Sequence, residues 1–359
     1  MKIELNKFRE SLKKAMSGVE AKKGVGDSNA FTFKDGFVHS FRDMIAVSVF
    51  LSDELKDLSG TIKAAEFFKL ISKLDETEII IEQGEKDIQI QSGRAQASFS
   101  LLEDSSAIYT ANMNMDELKW LPASPDFLDG LNYCKLNCQS DYMISGIRVL
   151  GRKMVSTDGK RINCFDLKES MGDWLLEDAA AFELIKLNEI VQYAVSDSRI
   201  FFTLPDDSVI SCRKRMADNY PMERLQAVLE KFSYKDGYFK GTLPSKFKNM
   251  LDRAVVLSVS ETGIPIVELR LTKKGIEAVA QKDIGRFKEM LDWENVDEDS
   301  LRNLTKDIVI FIDVSIALYG LKRSSDFYVL QEESGDIKVV FVGDNCRCLV
   351  ATCIKNKNK

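Results

Sequence analysis

Few groups in this chain have the type and spacing to carry chemistry. The single histidine, His39, lies in the run Asp-Gly-Phe-Val-His-Ser-Phe. A serine–histidine–acid relay would need it as the base. It alternates with Phe37 and Phe41 as a strand residue does, and no nucleophile or orienting acid accompanies it, so a structural role is expected. Among the seven cysteines, Cys134-x-x-x-Cys138 and Cys346-x-Cys348 lack the spacing and histidines of a zinc site. They read as small buried apolar residues with reduced thiols. The acidic run DWENVDEDS (292–300) has neither the order nor the glycine of an EF-hand and reads as a solvated loop. No phosphate-binding G-x-x-x-x-G-K-[ST] or dinucleotide-binding glycine fingerprint occurs, and KKGVGDSNAF (22–31) reads as a loop.

One turn stands out. Thr157-Asp158-Gly159-Lys160-Arg161 joins two strand-like runs. As a phosphate loop it is poor, because a strand rather than a helix N-terminus follows. As a catalytic turn it lacks a histidine. As a hairpin turn it is ordinary, since Asp-Gly suits the positive φ angles of type I′.

The elements that would position such residues are legible. The chain has 359 residues, 45% hydrophobic and 30% charged, enough for two or three domains with a real core. No apolar run reaches bilayer length, and the charged N-terminal stretch is not a signal peptide. Together with the odd cysteine count, this points to the cytoplasm. A net charge of −6 argues against coating nucleic acid by bulk charge, while leaving room for a local basic surface.

Self-similarity organises the rest. Residues 60–102, 179–221 and 306–354 each read as strand, helix, strand, turn, strand, strand. Aligning their helices sets Lys63, Lys186 and Asp313 in register. The stretches before them match as well: an amphipathic helix in ELNKFRESLKKAMSGV and in GTLPSKFKNMLDRAVVLS, each followed by strands. In the middle copy, Pro122 and Pro125 interrupt the corresponding helix. The expected fold class is therefore α+β: three repeated domains, 1–111, 112–234 and 235–359, each with two helices packed on antiparallel sheets.

The residues then resemble a family, the β sliding clamp of bacterial DNA polymerase III, including phage or mobile-element members. The resemblance is carried by AAEFFKLISKL with the following strands to SGRAQASFSLL, by SGIRVLGRKMVSTDGKRINCFDL, and by CRKRMADNYPMERL. It implies a homodimer joined head to tail into a ring of six similar domains. The ring would encircle duplex DNA without sequence specificity, with helices lining the hole, and would tether a polymerase. It implies no catalytic activity, no cofactor and no metal. The DNA-facing residues would be Lys7, Arg9, Lys13, Lys14, Lys22, Lys23, Lys63, Lys69, Lys73, Tyr142, Lys246, Lys248, Arg253, Lys322 and Arg323.

It also implies a groove that takes short hydrophobic peptides of polymerase, clamp loader and other partners. The matching positions are Ile144, Thr157, Gly159, Lys160, Arg161, Ile162, Pro221, Arg224, Leu225, Ile264, Asp313, Ile316, Val339, Leu349 and Ala351. Ile144, Ile162 and Leu225 beside Lys160 and Arg161 would make an apolar cleft with a charged rim, which a peptide-docking site needs. The chain departs from the family at its ending, ATCIKNKNK, and at Lys160, where a histidine is common. The same residues also fit a monomeric peptide-binding scaffold that closes no ring. An enzyme on repeated α+β domains fits less well, for want of an acid–base or metal constellation.

Overall fold

The computed structural model describes residues 1–19, 29–42, 44–102, 113–115, 117–135, 144–217, 220–231, 238–258, 263–331 and 335–352. Lys22, Lys23, Tyr142, Cys138 and the lysine- and asparagine-rich ending lie outside them. The chain forms two compact units. One holds Met1–Asn132, Val149–Gly151 and Lys168–Ala217; the other holds Tyr133–Arg148, Arg152–Leu167 and Asp218–Lys359. No described helix is long and apolar enough to cross a membrane.

Among the described residues one order of elements, a strand, a helix and three strands, occurs six times along the chain. In the first unit, helix Leu5–Ala15 buries Leu5, Phe8, Leu12 and Ala15, a stripe at helical spacing, and helix Ala64–Ile71 buries Ala64, Phe67 and Ile71. Both run as the periodicity predicts. The short first strands are exchanged between neighbouring motifs. Lys2–Glu4 pairs with Glu78–Gln83, and Gly60–Lys63 pairs with Ala30–Lys34. The second unit repeats the exchange, with Phe239–Thr242 on Asp326–Gln331 and Ile308–Asp313 on Ile266–Leu271. Such swapped strands tie two motifs into one domain, because neither sheet is complete alone.

A second rule joins motifs within each unit. In the first unit, Ile45–Phe50 pairs antiparallel with Val209–Arg215, setting Ala46 opposite Ser211. In the second, Arg161–Asp166 pairs with Cys346–Ala351, setting Ile162 opposite Leu349. In each case the third strand of one motif meets the third strand of another. Two equivalent strands, Ala95–Ser100 and Gly285–Asp292, end their four-stranded sheets and have a strand partner on one side only among the described residues.

Three expectations are corrected. The middle-copy prolines break no helix: Leu121–Pro122 is a strand on Gln192–Tyr193, and helix Phe127–Cys134 starts after Pro125. Lys186 is not in register with Lys63 and Asp313. Those two sit just before their helices, as Glu177 does before helix Asp178–Leu184, whereas Lys186 follows that helix. The apolar run continues past Leu184, and no side-chain cap marks the start, so periodicity alone could slide. Finally, the acidic run at 292–300 is not a plain loop. Asn295–Val296 is a short strand on Gly241–Thr242, and Asp297 caps helix Glu298–Asn303 by accepting a hydrogen bond from Ser300 N at 3.0 Å. Glu298 and Asp299 in its first turn complement the helix dipole.

Candidate functional site

The turn after Lys153–Thr157 is built by its own side chains. Thr157 and Ile162 are paired across the hairpin, so four residues, 158–161, make the connection. Gly159 alone among them has positive φ, at 79°. A two-residue type I′ turn is thus replaced by a longer loop held by Asp158, whose Oδ1 accepts from Lys160 N and Arg161 N, both at 3.0 Å. Its Oδ2 takes Arg161 Nε at 2.9 Å. Thr157 Oγ1 donates to Arg161 O at 2.7 Å. The guanidinium of Arg161 also lies 4.5 Å from the ring centre of Tyr319, as does Lys322 Nζ. Burial pushes the Tyr319 phenol up, so it stays a neutral donor within reach of Tyr133 O and of Lys135 O at 3.0 Å.

This turn borders a cavity of about 280 Å³ within the second unit. Ile144, Ile162, Leu225, Val228 and Leu349 supply apolar surface, and Lys160, Arg161, Arg224 and Lys338 supply cations. Thr157, Gly159, Pro221 and Ala351 complete it. Of the fifteen groove positions inferred from sequence, all but four converge here. The exceptions are Ile264, Asp313, Ile316 and Val339. Val339 pairs with Val350, whereas Lys338 pairs with Ala351 and Val340 with Leu349. Side chains alternate across a strand, so Val339 points to the other face and its neighbour Lys338 takes the place expected of it. Ile316 is buried in helix Val314–Gly320, and Asp313 caps that helix by accepting from Ser315 N at 2.9 Å. Ile264 is half-buried ahead of strand Ile266–Leu271. Val228 was missed, although it follows Leu225 by three residues on helix Met222–Lys231 and so shares its face.

Twelve of the expected DNA-facing residues are among those described. Lys7, Lys13, Lys63, Lys69, Lys73, Lys246, Lys248, Arg253, Lys322 and Arg323 are exposed. Several are also held by contacts within the fold. Arg9 donates to the carbonyls of Leu74 at 2.6 Å and Ile71 at 3.3 Å, closing the end of helix Ala64–Ile71. Lys14 pairs with Asp206, holding that carboxyl below its usual range against the opposing effect of burial. Arg253 grips Glu289 through two nitrogens. Lys7 pairs with Glu4 at 3.0 Å.

Cys134, Cys164, Cys212, Cys346 and Cys348 are buried free thiols. Burial pushes Cys164 to about 11 and Cys212 and Cys348 to about 12, so they carry almost no nucleophilic thiolate at neutral pH. Among the described residues no cluster of histidine, cysteine and carboxylate fits a metal ion.

No family model and no curated protein matches the chain. Solved structures do. The DNA polymerase III β chain of Streptococcus pneumoniae superposes with a TM-score of 0.81 at 16% identity, covering 99% of each chain. The DNA polymerase sliding clamp of Bacillus subtilis gives 0.80 at 16% identity over 99% of this chain and 98% of that one. The Helicobacter pylori β clamp, solved with 3,4-difluorobenzamide, gives 0.79 at 13% identity over 99% of each. Strands, helices and their repeated order thus agree from end to end, and the chain has the fold of the DNA polymerase III β sliding clamps.

Proposed function

We propose that the protein is a processivity factor: a homodimeric ring that encircles duplex DNA and holds a polymerase and other partners through the groove beside Thr157–Ile162. It acts as an accessory subunit of replication in the cytoplasm, without catalysis of its own. The repeats at 1–111, 112–234 and 235–359 are its three domains. The observation that carries this reading is the convergence of eleven groove positions, implied by the sequence resemblance, on one cavity, in a chain of clamp fold.

The pairing rule between domains supports ring closure. Among the described residues, Ala95–Ser100 and Gly285–Asp292 each lack the second partner that Ile45–Phe50 and Arg161–Asp166 have. Open edges are a liability unless paired, and two heterologous contacts between two chains close both. The acidic chain needs no tight grip on phosphate, because a closed ring is retained by topology; the exposed lysines supply weak, sliding contacts.

In sedimentation at micromolar concentration the protein is expected to run as a dimer. Gln96→Pro and Ala97→Pro, made separately, test the edge. Neighbouring N–H groups point to opposite sides of a strand, so one of the two removes an outward donor and should shift the protein to monomer. A monomeric unaltered chain would sink the ring and favour the scaffold reading.

The groove is tested by Ile162→Asp with Leu225→Asp, and by Ala351→Trp, which plugs the cavity from its exposed rim. Each should weaken a fluorescent Leu- and aromatic-containing peptide at least about thirtyfold in anisotropy titrations, in line with loss of a buried anchor. Unchanged affinity in variants that melt normally would remove the groove assignment.

A further inference from the structure

Two hydrogen bonds show which positions of the two units correspond. Ser40 Oγ donates to Ala15 O, at the end of helix Leu5–Ala15, at 2.5 Å. Ser156 Oγ donates to Cys134 O, at the end of helix Phe127–Cys134, also at 2.5 Å. One residue further along each strand, Phe41 pairs with Ala46, and Thr157 with Ile162. The next strands set Ala46 opposite Ser211, which faces Phe201, and Ile162 opposite Leu349, which faces Val340. Phe41, Ala46, Ser211 and Phe201 are thus the counterparts of Thr157, Ile162, Leu349 and Val340. Both serines turn toward a helix, so these neighbours lie on the opposite face of the sheet.

The two units treat these positions differently. In the second, Thr157, Ile162 and Leu349 line the open cavity of about 280 Å³. In the first, Ala46 and Phe201 belong to a buried apolar cluster with Met113, Ala194 and Val209, and Phe41, Leu118 and Trp120 pack against it. Leu118 and Trp120 are half-buried, while Glu117 and Lys119 beside them are exposed. Side chains alternate inward and outward in this way when an extended peptide docks on a protein surface. Regular strand pairing begins only at Leu121. Glu117 has φ of 61°, a conformation that a residue with a side chain keeps only where its surroundings fix it. The bond from Leu118 N to Met115 O at 3.3 Å and the seating of Leu118 and Trp120 supply that constraint.

We infer that the first unit carries a second docking surface for short peptides with apolar anchors, and that Leu118 and Trp120 are the chain's own plug in it. The plug leaves the second-unit groove as the site open to partners. The likeness between the two surfaces rests on the groove reading, and the experiment separates the two. The probe is a neutral fluorescein-labelled heptapeptide with the same pair of anchors, Gly-Ser-Leu-Ser-Trp-Ser-Gly, brought to saturation on the full chain in equilibrium dialysis. The unaltered chain should take up one peptide, and I162D/L225D none. L118S/W120S should take up two, a doubling of capacity, and should keep one of them when I162D and L225D are added. Trp120→Ala alone is the milder opening and should raise the capacity in the same direction; where the double variant melts early, W120A decides.

A folded L118S/W120S or W120A that still saturates at one peptide, lost with I162D/L225D, would overturn the plug and leave the groove standing. Uptake by L118S/W120S but not by the unaltered chain would remove the groove reading and leave the plug. Failure of every chain to take up the peptide would remove both.

Discussion

Phe67→Ala is expected to destabilise the first unit by about 3–5 kcal/mol, the usual cost of deleting a buried ring. Phe67 is fully buried and is the hub of an aromatic cluster. Its ring meets Phe8 at 6.1 Å, Phe31 at 6.4 Å, Phe33 at 5.7 Å and Phe99 at 5.0 Å, all edge-on. Those partners come from the other helix and from both sheets, so a cavity there has no single flexible neighbour to collapse into it. Urea unfolding should show a transition shifted to lower denaturant. Phe99→Leu is the comparison: Phe99 is only half-buried, on the open edge strand, and should cost well under half as much. A Phe67→Ala protein with an unshifted transition would show that the cluster does not hold the helix pair.

The second large effect is on acid stability. His39 is buried in strand Phe37–Arg42, beside the ring of Phe37 at 6.0 Å and opposite Thr32 and Ser48. Burial, and then the charge of Lys34, push its pKa down to about 3. Above pH ~6.5 the imidazole is neutral folded or unfolded, and its contribution is flat. Below that, the unfolded chain takes up a proton that the folded chain refuses, so stability falls as the pH drops toward 3. At 1.36 kcal/mol per unit the loss is about 2 kcal/mol by pH 5 and no more than about 5 at the lower end. His39→Gln should remove this part of the pH dependence. Carboxylates titrate only in the lower part of the window, so the comparison is the difference between the two proteins from pH 7.5 to pH 5. Parallel curves would mean that His39 is protonated in the fold without penalty.

How much of this was legible in the sequence depended on the kind of signal. Helices Leu5–Ala15 and Phe247–Val255 show their apolar stripes directly. Helix Asp178–Leu184 did not, because seven residues barely complete two turns and alanines fill much of its buried side. The cavity was legible where one stretch, Thr157 to Ile162, supplies five of its lining residues. It was not where the answer turned on facing. Whether Lys338 or Val339 looks into the cavity depends on a one-residue register between Ile337–Val342 and Cys346–Ala351, which both sequences tolerate. Charge engagement was likewise invisible: nothing near Arg9 or Lys14 in the chain announces the Leu74 carbonyl or Asp206.

In the first unit Leu118 and Trp120 pack against the buried apolar cluster of Ala46, Met113, Ala194, Phe201 and Val209, with a consequence in terms of tethering. The two precede strand Leu121–Pro122, which is fixed on Gln192–Tyr193. They therefore meet their surface at an effective concentration of the order of millimolar or above, whatever the abundance of the protein. No soluble competitor at micromolar level displaces such an occupant. In the proposed clamp, the pair Ile162–Leu349, which stands to Arg161–Asp166 as Ala46–Ser211 stands to Ile45–Phe50, borders a surface for visitors that arrive by diffusion, stay according to their own off-rates and give way to one another. On that proposal, one repeated architecture provides a permanent fastening in the first unit and an exchangeable berth in the second.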